Sequence, residues 1–565
     1  MKLSRVLLAF ACLAANCSAI DREAFTFIEY DLNVRVEPEQ KRLGARGHII
    51  LRNDSGAPQK VAAVQVSSSL DWRSLRAKGK PLQFVSQPYV SDIDHTGSLS
   101  EAIVTLPDSI APHATVDLEV GYEGTIPLDT TRLKGIGVPE DQARHTDWDQ
   151  ISSAFSAVRG VGYVTWYPVA MDSGNLSDSS VFERLAGWKN RESHAQMHVN
   201  ICTTSGILLM NGRPVTGPAE NLSASTASDG TNCSEHAFLP LGFAVPSFTV
   251  GQFEHLPKGG LDIYYLAGHR AGAENYSALI DKIAPFLGLW LGQPRSRASI
   301  IDLPDAAAAP FESGTSLLTP FSSDSGVAEL TLAHQMAHAM FVSPRPWIAE
   351  GVAHFAQALW REHQSGRRAA LDYMGLRRTT LADAEKFIPG QKQDGDDHSL
   401  LRSADDDFYR SKAMFVWWML RDMLGDAVLR QIFSLYDPSK DATQSYLQDL
   451  VQAQSGRNFS WFFSDWIYQD RGLPDFRIVS AYPRALDSSI HMTTVTVDNL
   501  GNAGAEVPVT AILQDGEVTK RLTVPGKGSA SIRIETPSAP IEIVVNDGSV
   551  PESETGNNRF SLRTK

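Results

Sequence analysis

His334 and His338 stand four residues apart in the segment LTLAHQMAHAMFVSPRPWIAEGVAHFAQALW. In a helix that spacing puts both imidazoles on one face, one turn apart. Two nitrogens so placed can fill two positions of a tetrahedral zinc ion. A third ligand can come from a second helix whose carboxylate points back at the pair. Glu350 suits this, because Pro344 and Pro346 break the first helix and Trp347 opens the next. Two histidines and one glutamate leave the fourth position to water, the layout of a catalytic zinc site and not of a closed structural one. Histidines at this spacing also occur as plain core or surface residues. The Trp-Ile-Ala-Glu-Gly phrase that follows the break favours one bound ion.

The elements that must hold these groups are legible as helices. Apolar periodicity marks 275–291, 328–340, 348–363, 412–424 and 444–454, with a buried-strand candidate, ASIIDLP, after the first of them. A Gly/Ser/Pro-rich segment, PFESGTSLLTPF, precedes the histidine helix, and 391–407 reads as an acidic surface loop. Before residue 260 the pattern changes to short alternating runs such as YDLNVRVEP, GHIILRND and VDLEVGYEG, which predict a large antiparallel β domain. Alternation returns in SIHMTTVTVDNLG, VPVTAILQDG and IEIVVNDG, which predict a small β-sandwich. The expected fold is therefore multidomain α+β: a signal segment 1–19, a β domain 20–260, a mainly helical zinc domain 261–472 and a β-sandwich 473–565.

Composition bounds the function. A chain of 565 residues with 42% hydrophobic and 21% charged residues is an ordinary multidomain globular protein. A net charge of −14 argues against nucleic acid, which demands a basic footprint. Lys2 and Arg5, an apolar stretch to Ala15 and the small residues Ser18-Ala19 form a secretory signal. Residence is expected to be periplasmic or extracellular, with no transmembrane helix after the signal. Removal of the signal leaves only Cys202 and Cys233. Such a pair fits a disulfide in an oxidising compartment, the alternative being two unrelated buried thiols. The sequence says nothing of oligomeric state.

Taken together, His334-Gln335-Met336-Ala337-His338 and Trp347-Ile348-Ala349-Glu350-Gly351 resemble the aminopeptidase-N family of gluzincins, the alanyl aminopeptidases and their leukotriene hydrolase relatives, whose pattern is H-E-x-x-H followed by W-L-x-E-G. Pro310-Phe311-Glu312-Ser313-Gly314 lies where the family carries G-x-M-E-N, and Ser460-Trp461-Phe462-Phe463 to Gly472-Leu473-Pro474 resembles the phrase closing its catalytic domain. The resemblance implies a thermolysin-like zinc domain, zinc on His334, His338 and Glu350, and peptide or protein N-termini as substrates. It implies that Glu312 holds the substrate's free α-amine. Phe408-Tyr409-Arg410-Ser411-Lys412-Ala413 resembles Y-x-K-G, so Tyr409 would stabilise the tetrahedral intermediate; the strict register instead gives Arg410, which can meet an oxyanion electrostatically.

Three departures shape the functional expectation. The family's general base, the Glu after the first His, stands here as Gln335. An amide hydrogen-bonds a water but cannot accept its proton. Loss of a general base costs about 10²–10⁴-fold, roughly 3–5 kcal/mol of barrier. Eleven residues separate His338 from Glu350 where the family has eighteen, and Tyr409 stands three before Lys412 instead of two. The leading expectation is a zinc-binding aminopeptidase-like protein with hydrolysis weakened or lost. An active aminopeptidase using Glu312 or a carboxylate of the 391–407 loop as base is the second. A secreted scaffold with no metal is the third. His354, one turn past Glu350, reads either as a support for the ligands or as a packed core histidine.

Overall fold

The computed structural model describes residues 20–178, 180–215, 225–226, 231–321, 324–386, 399–401, 406–486 and 490–562. The expected signal segment and most of the 391–407 loop lie outside these residues. Period-two alternation produces the first strand, Phe25–Glu37, which buries Tyr30, Leu32, Val34 and Val36 on one face. It pairs antiparallel with Arg42–Asn53 inside a nine-stranded sheet. Its other edge pairs in parallel with Gln196–Thr203, a difference from the purely antiparallel expectation. The two strands are not joined by a hairpin: residues 38–195, several strands and the helix Ser180–Glu192 among them, lie between the two, and only a short turn between neighbours forces the antiparallel sense. Cys202 and Cys233 face each other across the next, antiparallel pairing, with Cα atoms 4.0 Å apart, and are disulfide-bonded.

A second, five-stranded sheet carries the part of the chain that matters for chemistry. Its strands are β1 (Phe253–Lys258), β2 (Leu261–Leu266), β3 (Ala298–Asp302), β4 (Phe311–Ser313) and β5 (Ser316–Thr319), in the order β1-β2-β3-β5-β4. β2, β3 and β5 run parallel, while β1 and β4 pair antiparallel at the two edges. The Gly/Ser/Pro-rich segment thus forms a hairpin, with Gly314 at φ 59° in its turn, where a side chain would be strained. Helix α1 (Arg270–Leu291) makes the crossover from β2 to β3 and buries Tyr276, Ile280, Ile283, Leu287 and Trp290. Helices α2 (Ser325–Met340), α3 (Pro346–Ser365), α4 (Arg367–Lys386), α5 (Asp406–Leu424) and α6 (Asp426–Leu435) follow. No helix among the described residues is long and apolar enough to cross a membrane.

The last strands form two sheets, one of Phe476–Ala485, His491–Asn499 and Ser529–Thr536, the other of Ala505–Leu513, Gly516–Val524, Glu542–Val545 and Arg559–Ser561. Their inward residues, among them Val495, Val507, Val509, Ile534 and Ile543, belong to the same apolar cluster as Leu332, Phe355, Trp417 and Trp466 of the helical region. A separate cluster lies under the nine-stranded sheet.

Candidate metal centre

Helix α2 begins where Asp324 accepts hydrogen bonds from the backbone N–H groups of Gly326 and Val327, satisfying two of the donors that a helix start leaves open. It buries Ala328, Leu332, Ala333, Met336, Ala337 and Met340, and sets His334, Gln335 and His338 almost out of solvent. The helix stops at Phe341, and α3 starts with Pro346 in its first turn, where a missing N–H costs nothing. The short connection is braced from outside. Arg345 Nε donates to Asp441 at 2.7 Å, Tyr436 donates to the other oxygen of Asp441 at 2.6 Å, and the Arg345 N–H donates to Ser343 Oγ at 3.1 Å. Gln357 of α3 donates to the Leu330 carbonyl of α2 at 3.0 Å. These contacts turn the chain sharply enough for Glu350, in the first turns of α3, to face the histidines despite the shortened spacer.

Glu312 arrives from the other side, on edge strand β4. That edge is pinned by its neighbour Ser313, whose Oγ donates to the Val245 carbonyl at 3.0 Å and accepts from Asn211 at 2.8 Å. Arg410 reaches in from α5.

Four ligand-type side chains converge: Glu312, His334, His338 and Glu350 each offer an atom within 4.8 Å of the others. His334 Nε2 lies 3.1 Å from His338 Nε2 and 3.7 Å from Glu350 Oε2, and His338 Nε2 lies 3.6 Å from Glu350 Oε1. Glu312 Oε1 is 2.6 Å from His334 Nε2 and 3.4 Å from His338 Nε2. Gln335 Nε2 donates to that same oxygen at 2.9 Å. The Arg410 guanidinium stands 3.4 Å from Glu312 Oε2 and 3.5 Å from Glu350 Oε2. Burial alone would raise the Glu312 carboxyl's pKa, but His334, His338 and Arg410 together hold it well below the usual range. Burial would likewise lower the His338 pKa, and the carboxylates of Glu350 and Glu312 outweigh it and raise it.

The donor set fits a zinc ion. Two imidazole nitrogens and carboxylate oxygens are its ordinary ligands. Buried Glu350 Oε2 accepts no hydrogen bond from the described residues and has the ion-pair approach of Arg410 at 3.5 Å, a partial compensation that a bound cation would complete. His354 is not one of the converging four. Its ring packs edge-on against that of His334 with centroids 4.7 Å apart, Nδ1 sits 2.9 Å from Gln357 Oε1, and burial drives its pKa well below the ordinary value. It is a neutral wedge behind His334. Its partner Gln357 escapes sequence reading, although the i, i+3 spacing from His354 is the available signal. Tyr409 belongs to α5, but its side chain lies outside the described residues. Lys412, two residues after Arg410, is fully buried and ion-paired with Asp470.

No family model matches the chain, and no curated protein matches it. Solved structures do. An aminopeptidase A of Legionella pneumophila in complex with aspartic acid aligns with a TM-score of 0.56 over 94% of this chain and 59% of its own, at 11% identity. An M1 zinc metallopeptidase from Deinococcus radiodurans aligns at 17% identity and a TM-score of 0.45, covering 79% of this chain and 95% of its own. At such identities the first likeness speaks for the fold alone, and the second, below 0.5, adds no weight. This chain has an α+β fold similar to that of the Legionella aminopeptidase, together with a largely buried cluster of two histidines and two glutamates.

Proposed function

We propose that this chain is an exported zinc-binding protein of aminopeptidase-like fold, which takes peptide or protein N-termini and hydrolyses them weakly or not at all. His334, His338 and Glu350 would hold the single ion. Zinc, when bound, polarises a carbonyl and makes a water more acidic. The chain's own residues must then move the proton, and the observation that carries the reading is position 335. Gln335 is fully buried beside the cluster and donates its amide N–H to Glu312, so it neither carries a negative charge nor can take up a proton. The fold likeness to an aminopeptidase supports peptide N-termini as the bound class, and the N-terminal signal and paired cysteines support export.

The test compares zinc-loaded wild type with Gln335→Glu on amino-terminal chromogenic amides. Wild type is expected to be slow and the variant faster by about 10²-fold or more, the usual worth of a positioned base. Rapid turnover by wild type, unchanged by the substitution, overturns the proposal. A second reading, an active aminopeptidase with Glu312 as base, draws on the short distance between Glu312 and Gln335. Under it Glu312→Gln abolishes a substantial wild-type activity. Purified protein that takes up no zinc would leave only a secreted scaffold.

A further inference from the structure

Resting on the zinc-binding reading above, we infer that Glu312 is a fourth protein ligand, closing the metal site at the position an open catalytic site leaves to water. The argument is geometric. A tetrahedral ion with nitrogen and oxygen ligands at about 2.0–2.2 Å separates neighbouring ligand atoms by about 3.3–3.6 Å. The two imidazole nitrogens lie 3.1 Å apart and Glu312 Oε1 lies 3.4 Å from His338 Nε2, close to that edge length, while Glu350 approaches His334 through Oε2 at 3.7 Å and His338 through Oε1 at 3.6 Å. The fifth separation, 2.6 Å between Glu312 Oε1 and His334 Nε2, is shorter and has the length of a hydrogen bond. Glu312 thus approaches both imidazoles with one oxygen, Oε1, and more closely than Glu350 does with its two.

The surroundings steer Glu312 into that role. Gln335 donates to Oε1 at 2.9 Å and so fixes which oxygen faces the imidazoles. Arg410 engages Oε2, the outer oxygen, at 3.4 Å, and also reaches Glu350 at 3.5 Å. Ligand carboxylates held by such hydrogen bonds bind with less loss of freedom. With the imidazoles neutral, two carboxylates balance a divalent ion and Arg410 adds one positive charge. Gln335 is then a positioning residue, whose amide keeps a carboxylate on the ion. A carboxylate at 335 would repel Glu312. This role differs from the amine-holding one that the family resemblance implies for Glu312.

The test loads the full-length mature protein with cobalt(II) in place of zinc and adds azide, a small anion that enters an open coordination position. Wild type is expected to show a four-coordinate visible spectrum that azide does not shift. Glu312→Ala is expected to shift with azide and to bind zinc about tenfold or more weaker. Glu312→Gln, which keeps the side chain's shape, should weaken zinc similarly while melting like metal-free wild type. If wild type itself takes azide, and neither variant loses zinc affinity, Glu312 is not a ligand and the inference falls while zinc binding stands. If wild type binds neither metal, the zinc reading and this inference fall together.

Discussion

At the scale of single residues, the chemistry turns on a swap of charge between neighbouring positions. The amide of Gln335 and the carboxylate of Glu312 touch at 2.9 Å. Gln335→Glu would place two carboxylates at that separation, where both cannot stay ionised without a large cost. The expected outcome is that Glu312 swings off the ion, so the cobalt-loaded Gln335→Glu protein accepts azide where wild type does not. Visible spectroscopy checks this without any turnover assay. His334 and His338 were legible because helix spacing fixes which side chains share a face, and Glu350 because the proline break sets a second helix directly after them. Glu312 was legible only as a family position. Its strand has three residues, too few for periodicity to say where a side chain points. Arg410 and Tyr409 differ by one place on a helix, about 100° of rotation, and spacing alone left the choice open.

At the scale of elements, the pairing of α3 with α5 brings Glu350 and Arg410 together, and Gly351 permits it. A Cβ at position 351 would stand 2.7 Å from Ala413 Cβ and 2.8 Å from Trp417 Cδ1. Neither neighbour can yield, since an alanine Cβ has no rotamer and Trp417 is fully buried. Alanine gains up to about 1 kcal/mol over glycine in a helix, but overpacking a core costs about 1–3 kcal/mol. Gly351→Ala is therefore expected to lower stability in denaturant titration. It should also weaken zinc, because the helix that carries Glu350 is pushed outward. The strongly periodic helices could be read from sequence in place and type, though α1 and α5 begin five and six residues before the expected 275 and 412. α4 could not, because RRAALDYMGLRRTTLADAEK is mostly polar and its apolar positions are sparse. The parallel pairing of Phe25–Glu37 with Gln196–Thr203 was also out of reach, since alternation reveals a strand but not its partner.

At the scale of the whole molecule, buried acids outside the histidine–glutamate cluster set the response to pH. Burial pushes the carboxyl of Glu192 up to about 8, that of Glu552 to about 7 and that of Asp94 to about 6. The folded chain holds these protons at pH values where the unfolded chain, with carboxyls near 4.5 or below, has released them. Their contribution to stability is complete below about pH 4 and is lost progressively as pH rises from there until it has passed the folded values of about 6–8. The melting temperature is expected to fall over that range, and Glu192→Gln should flatten its upper part, as a pH series by calorimetry would reveal. The division into β, helical and β segments could be read in outline from changes of period, but how the segments share their interiors could not. One apolar cluster runs from α1 through the helices that carry His334, His338 and Glu350 into both terminal sheets, and Trp466 donates its indole N–H to the Gly504 carbonyl at 2.7 Å across that join. The final ninety or so residues thus serve as a wall of the helical interior and not as a detachable appendage. A chain stopped after Gly472 would strip the helical interior of the apolar residues it shares with those sheets and leave Trp466 without its partner, and is expected to be recovered as aggregate instead of as a smaller working protein.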